Sequence, residues 1–350
     1  KLYEMGSKAY KCKERYSTTK SRDNKVSLKE VQHLTEKERT RRASKKTTLI
    51  LTFIGIFLSV ILIIIIGPEK VKNTFLQYTF YQVLFFVILY VLSWVLRGLK
   101  FYFVLKSAGV DINILKAIEL AILGGFANIF ALFQAGDVTR IVALKIHTKK
   151  DFGTASSPVF GDMLSGALGL ILLVLILLTF VEPKDTKWTI TSFTLLSLMV
   201  LAIFIVSFFG EKISSILSSR DSKVVTFIIN MVNTLSYSLK NKSFYISVII
   251  SILSWFVEGL SFSMLFTGIY WTHTVTAEAL GNIVKIIPIT PGGVGTFEGV
   301  AALYISRYGI SYSQAFAHSL SYHLMTKVIL AVIGPICSVS LLPSKRKNSG

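Results

Sequence analysis

Two short stretches of this sequence concentrate the residue types that bind charged or polar groups. The first is Gly136-Asp137-Val138-Thr139-Arg140, in which an acid and a base stand three apart. On a helix that spacing puts both on one face, where they can pair with each other or together address a zwitterionic or anionic group. Asp137 is equally well placed as a helix N-cap. The second stretch is Pro288-Ile289-Thr290-Pro291-Gly292-Gly293-Val294-Gly295, followed by Glu298. Pro288 and Pro291 lack a backbone donor and bias the residues before them away from helix. Gly292, Gly293 and Gly295 permit positive φ and close backbone approach. Glu298 then opens a helix with its carboxylate beside the positive end, where unpaired amides could also hold a phosphate. Lys285, just before the break, is the cation expected to partner it. The bland alternative is a hinge that Glu298 merely caps.

Asp162, Glu258 and His323 are secondary candidates, because an ionisable residue inside an apolar stretch is costly to bury. Glu258 is flanked by Phe256, Val257, Gly259 and Leu260, so it requires an interior partner. His318 and His323 are five apart rather than the four that stack metal ligands on one helix face, so no metal site is expected. His323 is expected to face a neighbouring helix. Arg97 and Lys100 read as snorkelling residues at the membrane interface. No H-e-x-x-H, P-loop, G-x-S-x-G or D-x-D pattern occurs, and Gly293 to Gly299 lacks the spacing of a dinucleotide fingerprint. No catalytic residue, enzyme activity or cofactor is expected.

The elements that must position these residues are membrane helices. The chain has 350 residues, of which 52% are hydrophobic and 16% charged. Soluble domains carry about a quarter charged residues, which excludes a soluble enzyme. Uncharged runs such as Leu49 to Ile66 and Leu168 to Val181 have the length that spans a hydrocarbon core. Six full spans are expected near 47–66, 78–99, 158–181, 189–209, 244–270 and 316–342. The first run, about 20 residues long, reads as a span and not as a cleavable signal peptide. The sequence does not begin with Met, which leaves open a longer polypeptide.

Charge sets the sides. The net charge is +19, and residues 1–46 hold 15 basic against 6 acidic residues. Residues 1–46 form a basic cytoplasmic segment expected to touch anionic lipid headgroups, and residues 344–350 form a basic cytoplasmic tail. Without zinc spacing or an aromatic-interleaved basic face, no nucleic-acid partner is expected. Cys12 and Cys337 form neither a metal pattern nor a disulfide framework.

Within the membrane domain, 47–343, two segments are not simple spans. Residues 115–147 begin and end among inside charges, and residues 276–308 begin and end outside. Each reads as a broken re-entrant hairpin, since irregular backbone at membrane depth survives only where protein buries it or a wet cavity receives it. The first repeat, 47–181, and the second, 189–342, then share the order span, span, broken hairpin, span. Three crossings in each half require the second to be inverted. The sequence echo is slight: Ala127-Asn128 against Gly281-Asn282, and Ile141 to Leu144 against Val300 to Leu303. The expected fold is an all-α polytopic membrane protein with about six full transmembrane helices, two broken hairpins and an inverted-repeat arrangement, the pattern of secondary transporters.

The chain resembles the lysylphosphatidylglycerol synthase transmembrane-region family, also called flippase-like membrane proteins. The resemblance runs from about Trp94 to Gly334. It rests on Arg97 before the Gly109 turn, on Gly124-Gly125-Phe126-Ala127-Asn128, on the G-D-x-x-R of Gly136 to Arg140 and on the P-G-G-x-G-x-x-E of Pro291 to Glu298. This chain departs in having no Pro at Phe130 to Phe133, Met163 after Asp162, and His323 where the family tends to have a nearby Arg. The resemblance implies a protein that moves or presents a polar lipid, a phospholipid or a lipid-linked sugar. Asp137, Arg140 and Glu298 would line the headgroup cavity. Arg140 and Lys285 would meet phosphate, and Asp137 and Glu298 an amine or sugar hydroxyls. The alternative is the membrane half of, or an anchor for, a lipid-modifying or glycosyl-transferring enzyme, with a soluble transferase as partner.

Overall fold

The computed structural model describes residues 68–129, 135–148, 151–180, 186–217, 222–285, 293 and 295–340. The expected first span, the basic segment 1–46, the tail 344–350 and the break residues Pro288, Pro291 and Gly292 lie outside the described residues. All described residues belong to one compact unit, 55–350.

The described residues form helices and no strand. In chain order these are α1 (Pro68–Gln77), α2 (Phe80–Ser107), α3 (Ile114–Ile129), α4 (Ala135–Thr148), α5 (Phe152–Phe180), α6 (Thr186–Leu217), α7 (Lys223–Leu239), α8 (Lys242–Ser263), α9 (Trp271–Val284), α10 (Thr296–Ile305) and α11 (Tyr312–Ser340), with a 3₁₀ turn at Ser306–Tyr308. The α2, α5, α8 and α11 helices are long and apolar enough to cross a membrane. The α6 helix is the longest, with 32 residues, whereas α3, α4, α9 and α10 have 16, 14, 14 and 10 residues, short of the roughly 20 a crossing needs.

Local chemistry sets the helix starts. At α2, Thr79 Oγ1 accepts from the Gln82 amide at 3.3 Å while Gln82 Oε1 accepts from the Thr79 amide at 2.9 Å, a reciprocal capping box. Ser311 and Gln314 repeat the device at α11. Asn241 Oδ1 caps α8 through the Ser243 amide at 2.9 Å. The α2, α5, α6 and α11 helices extend beyond the expected spans by several residues at one or both ends, whereas α8 ends at Ser263, short of the expected 270. The segment between the fourth and fifth expected spans contains a further helix, α7, which packs on α5 and α6.

The molecule is apolar outside and polar within. On α2, Phe85, Ile88, Leu92 and Val95 form an exposed stripe, while the opposite face buries Phe86, Tyr90, Ser93, Trp94 and Lys100. In water that stripe would be a liability; against lipid it is the solvated face. Since lipid is as apolar as leucine, helix association must come from close packing and polar contacts, for which small residues suit. Buried serines accordingly line the interior faces of α5 and α8.

The helices gather around two pairs of short ones. The pair α3 and α4 packs on α2, α5 and α11; the pair α9 and α10 packs on α8, α5 and α11. Each has its own apolar cluster. Phe101, Leu105, Leu120, Ile141, Leu144 and Val159 surround the first. Phe86, Phe262, Leu280, Phe297, Tyr304 and Tyr322 lie around the second. The α2 and α8 helices, each preceding a short pair, share the most extensive interface.

Candidate functional site

Three groups of charged residues meet inside this frame. Around the first short pair, α4 begins at Ala135, so Asp137 stands in its first turn and is not the N-cap. The Gly136 amide is instead capped from α3, donating to Asn128 Oδ1 at 2.8 Å. One turn later Arg140 reaches two acids. Its guanidinium donates to Asp137 and, at 2.7 Å, to Asp162 Oδ2 on α5, and it lies 4.9 Å from the centroid of Phe101. Lys100, from α2, meets Asp162 Oδ1 at 2.9 Å and donates to the Asp162 carbonyl at 3.0 Å. Space for that ammonium comes from Gly166, where a Cβ would lie 3.1 Å from Lys100 Nζ. Two cations and two carboxylates are thus paired with one another. Lys100, Arg140 and Asp162 are buried, and Asp137 is nearly so.

The second group lies between α2 and α8. Arg97 pairs with Glu258, whose other oxygen accepts from the Tyr322 hydroxyl at 3.2 Å. The Arg97 guanidinium is flanked by Trp94 at 5.0 Å and Trp255 at 4.2 Å. Glu258 therefore has the interior partner its setting required. The snorkelling expected of Arg97 and Lys100 does not occur: both face carboxylates on neighbouring helices, and those contacts hold them inside.

The third group surrounds the second short pair. Glu298, fully buried at the start of α10, accepts from the Gly295 amide at 2.7 Å through Oε2. Its Oε1 lies 2.6 Å from His323 Nδ1 on α11. His323, and not Lys285, is its direct partner. Gly293 and Gly295 have φ of 73° and 87°, a region closed to most side chains. The Lys285 stem lies along Gly293, and its ammonium sits 4.1 Å from the Phe297 centroid. Lys327 lies one turn beyond His323 on α11. Neither lysine forms an ion pair among the described residues. Glu278, on α9, is wholly buried; Asn282 Nδ2 donates to its Oε1, while Oε2 has no hydrogen-bond partner.

The structure thus brings Asp137, Arg140 and Asp162 together, and separately Lys285, Glu298 and His323. It also adds Glu278 and Lys327, which motif reading passed over, and Lys100, which was expected only to snorkel. A signal existed for Glu278: Glu278, Asn282 and Lys285 recur at helical spacing within Val275 to Lys285, so a charged stripe crosses an apolar segment. Among the described residues no three His, Cys, Asp or Glu side chains are grouped to hold a metal.

The family description "Lysylphosphatidylglycerol synthase TM region" matches residues 52–334 of this chain. A UPF0104 membrane protein of Methanocaldococcus jannaschii is 24% identical over 220 residues, covering 60% of this chain and 92% of its own. A UPF0104 membrane protein of Methanothermobacter thermautotrophicus is 21% identical over 313 residues, 81% of this chain and 93% of its own. A second M. jannaschii protein of that description is 22% identical over 330 residues, 87% of this chain and 98% of its own. With its apolar spanning helices, the chain is a multi-pass membrane protein.

Proposed function

The chain belongs to the lysylphosphatidylglycerol synthase TM region family, and on that premise we propose that it binds a polar lipid headgroup and moves or presents it across the bilayer. The observation that carries the reading is the third charge group. Among the described residues, two lysines without ion pairs and a buried acid with an orphan oxygen lie beside a helix break, where a headgroup could complete them. Lys285 and Lys327 would meet its phosphate, and Glu298 an amine or hydroxyl. Asp137 and Arg140, spent on each other and on Asp162, would border the path without gripping the cargo. Acyl chains would stay in lipid against the exposed apolar faces.

The proposed architecture is six crossings with the two short pairs as re-entrant hairpins in inverted repeats, and with both termini cytoplasmic. A recurrence in the chain supports it. Arg97 and Glu258 stand 161 residues apart, and the same spacing relates Trp94 to Trp255, Gly98 to Gly259, Asp137 to Glu298 and Asp162 to His323. Leu92-Ser93-Trp94 and Gly98-Leu99 return as Leu253-Ser254-Trp255 and Gly259-Leu260. The packing follows suit. A Cβ on Gly98 would lie 2.8 Å from Ile118 Cβ of α3, and one on Gly259 would lie 2.7 Å from Val275 Cγ1 of α9. Each long helix is notched where the first leg of its short pair crosses.

Mass spectrometry of lipids co-purified with the wild type and with a Lys285→Ala, Lys327→Ala variant tests the reading. One polar lipid class should be enriched on the wild type and lost from the variant. Equal amounts of bulk membrane lipid on both would overturn it and favour an anchor for a soluble transferase.

A further inference from the structure

Glu278 is not assigned to cargo by that reading, yet it is the acid whose surroundings offer it least. It is fully buried in Thr276-Ala277-Glu278-Ala279-Leu280, with only the Asn282 amide on one oxygen. Charged groups face it from several sides, and most are committed elsewhere. On α2, Arg97 is paired with Glu258. On α8, Glu258 itself is a second acid, already holding Arg97 and the Tyr322 hydroxyl of α11. On α10, Glu298 is bound by the Gly295 amide and His323. The α5 face against α9 is apolar, from Leu170 to Leu178. On its own helix Lys285 lies two turns further along the same face, with its ammonium on the Phe297 ring. A carboxylate so enclosed and without a cation is strongly disfavoured, whereas the neutral acid is tolerated.

We propose that Glu278 is a proton-binding site that sets the position of Lys285. With the carboxyl protonated, Lys285 rests on Phe297 and its stem lies against Gly293. When the proton passes to a water molecule reaching the site, the carboxylate draws the Lys285 ammonium onto itself. Seven residues of helix separate the two by roughly 10 Å of rise, which a lysine and a glutamate side chain together bridge. That swing lifts the stem from Gly293, where a Cβ would lie only 2.6 Å from Lys285 Cγ, and so releases a positive-φ residue of the break. Proton occupancy at Glu278 thereby sets whether the Lys285 stem packs on Gly293, beside which the headgroup is proposed to bind.

The test is carbodiimide labelling of the full chain in vesicles of phosphatidylcholine alone. Dicyclohexylcarbodiimide adds a protonated carboxyl across its C=N bond, and the adduct rearranges to a stable N-acylurea that peptide mass mapping locates. Glu278 should be labelled at low pH, with labelling falling about tenfold per pH unit beyond its midpoint. In Lys285→Met, which keeps the stem and loses the cation, labelling should persist to higher pH because the ionised form loses its partner. Glu278→Gln should abolish the adduct. Labelling of Glu258 or Glu298 in place of Glu278, labelling unchanged across the pH range, or no shift in Lys285→Met would overturn the proposal. The first arm uses the wild type, so it does not depend on a variant's folding. The vesicles contain no cargo candidate beyond phosphatidylcholine, so the result is separable from the co-purification experiment.

Discussion

Around the first short pair of helices, Lys100 and Arg140 direct both cations onto Asp137 and Asp162, so that every charge has an ionic partner. Around the second, Lys285 and Lys327 form no ion pair among the described residues, and Glu278 keeps an oxygen without a hydrogen bond. Both regions bury charge at the start of a short helix, and both begin that helix near glycine. What differs is completeness. A buried cluster whose charges are all paired fixes the helices that contribute them, because any motion must separate ions in a medium that does not solvate them. A cluster with members left over can accept a ligand, a proton or a rearrangement. The difference supports the working role proposed for the second region and suits the first to a lock.

The largest expected effect tests the lock. Asp162→Ala strands the buried Lys100 and takes one of the two acids from Arg140, and should cost about 3–5 kcal/mol, seen as a fall in thermal unfolding temperature in detergent. Lys100→Met added to Asp162→Leu should recover part of the loss, since an apolar pair of similar volume replaces an ion pair at little cost. If the single substitution leaves stability unchanged, the first region is no lock.

Next come the notches, which ask whether the two regions are alike in packing while differing in charge. Gly98→Ala and Gly259→Ala should each destabilise by about 1–3 kcal/mol in the same assay. Gly98 should be the more costly, because its new methyl would crowd the Ile118 backbone more closely than that of Gly259 crowds the Val275 backbone. A large penalty at one glycine alone would break the parallel between the two regions.

Smaller in stability is Lys285→Ala. Its ammonium is held by an aromatic face, and removing it should cost under about 2 kcal/mol while reducing lipid retention. A loss comparable to that of Asp162→Ala would mean that the second region is as locked as the first.

The smallest effect lies outside the membrane helices and serves as a reference for both regions. Asp151 caps α5, accepting from the Thr154 amide at 3.0 Å and from the Thr154 hydroxyl. Partial burial pushes its carboxyl up, but hydrogen bonds from the Thr154 side chain and amide, Asn230 and Gly153 outweigh this and hold it below the ordinary carboxylate range. A lowered folded value stabilises above the ordinary range, and that contribution is lost as pH falls through it. Asp151→Ala should cost about 1 kcal/mol near neutral pH, and less in acid. Unfolding temperatures of both proteins measured against pH check the sign.

Much of the working region was legible in the sequence. Proline and glycine between Pro288 and Gly295 announced a break because their backbone preferences are local, and Glu298 announced the helix that follows. Glu258 announced a partner by its apolar flanks. The partners themselves were not legible. Glu298 finds His323 and not Lys285, because α11 returns alongside α10. Arg97 and Lys100 look interfacial when counted along α2, but α8 and α5 place carboxylates against them. Asp137 is placed by its sequence where it could cap, but it stands inside the helix, since Asn128 of the preceding helix does the capping. The Leu-Ser-Trp recurrence at Leu92 and Leu253 was open to inspection all along, although its packing meaning depends on the notches at Gly98 and Gly259.

Composition and order by themselves determined that this chain folds into membrane helices, where its breaks fall, and which residue types lie in apolar surroundings, because hydropathy and backbone preference act over a few residues. Only the tertiary structure decided which charges are spent and which remain to act. That follows from range. Lys100 meets Asp162, Arg97 meets Glu258 and Glu298 meets His323 across helices distant in the chain, at registers set by close packing at glycines and serines. A buried charge has meaning only through the partner those registers bring to it.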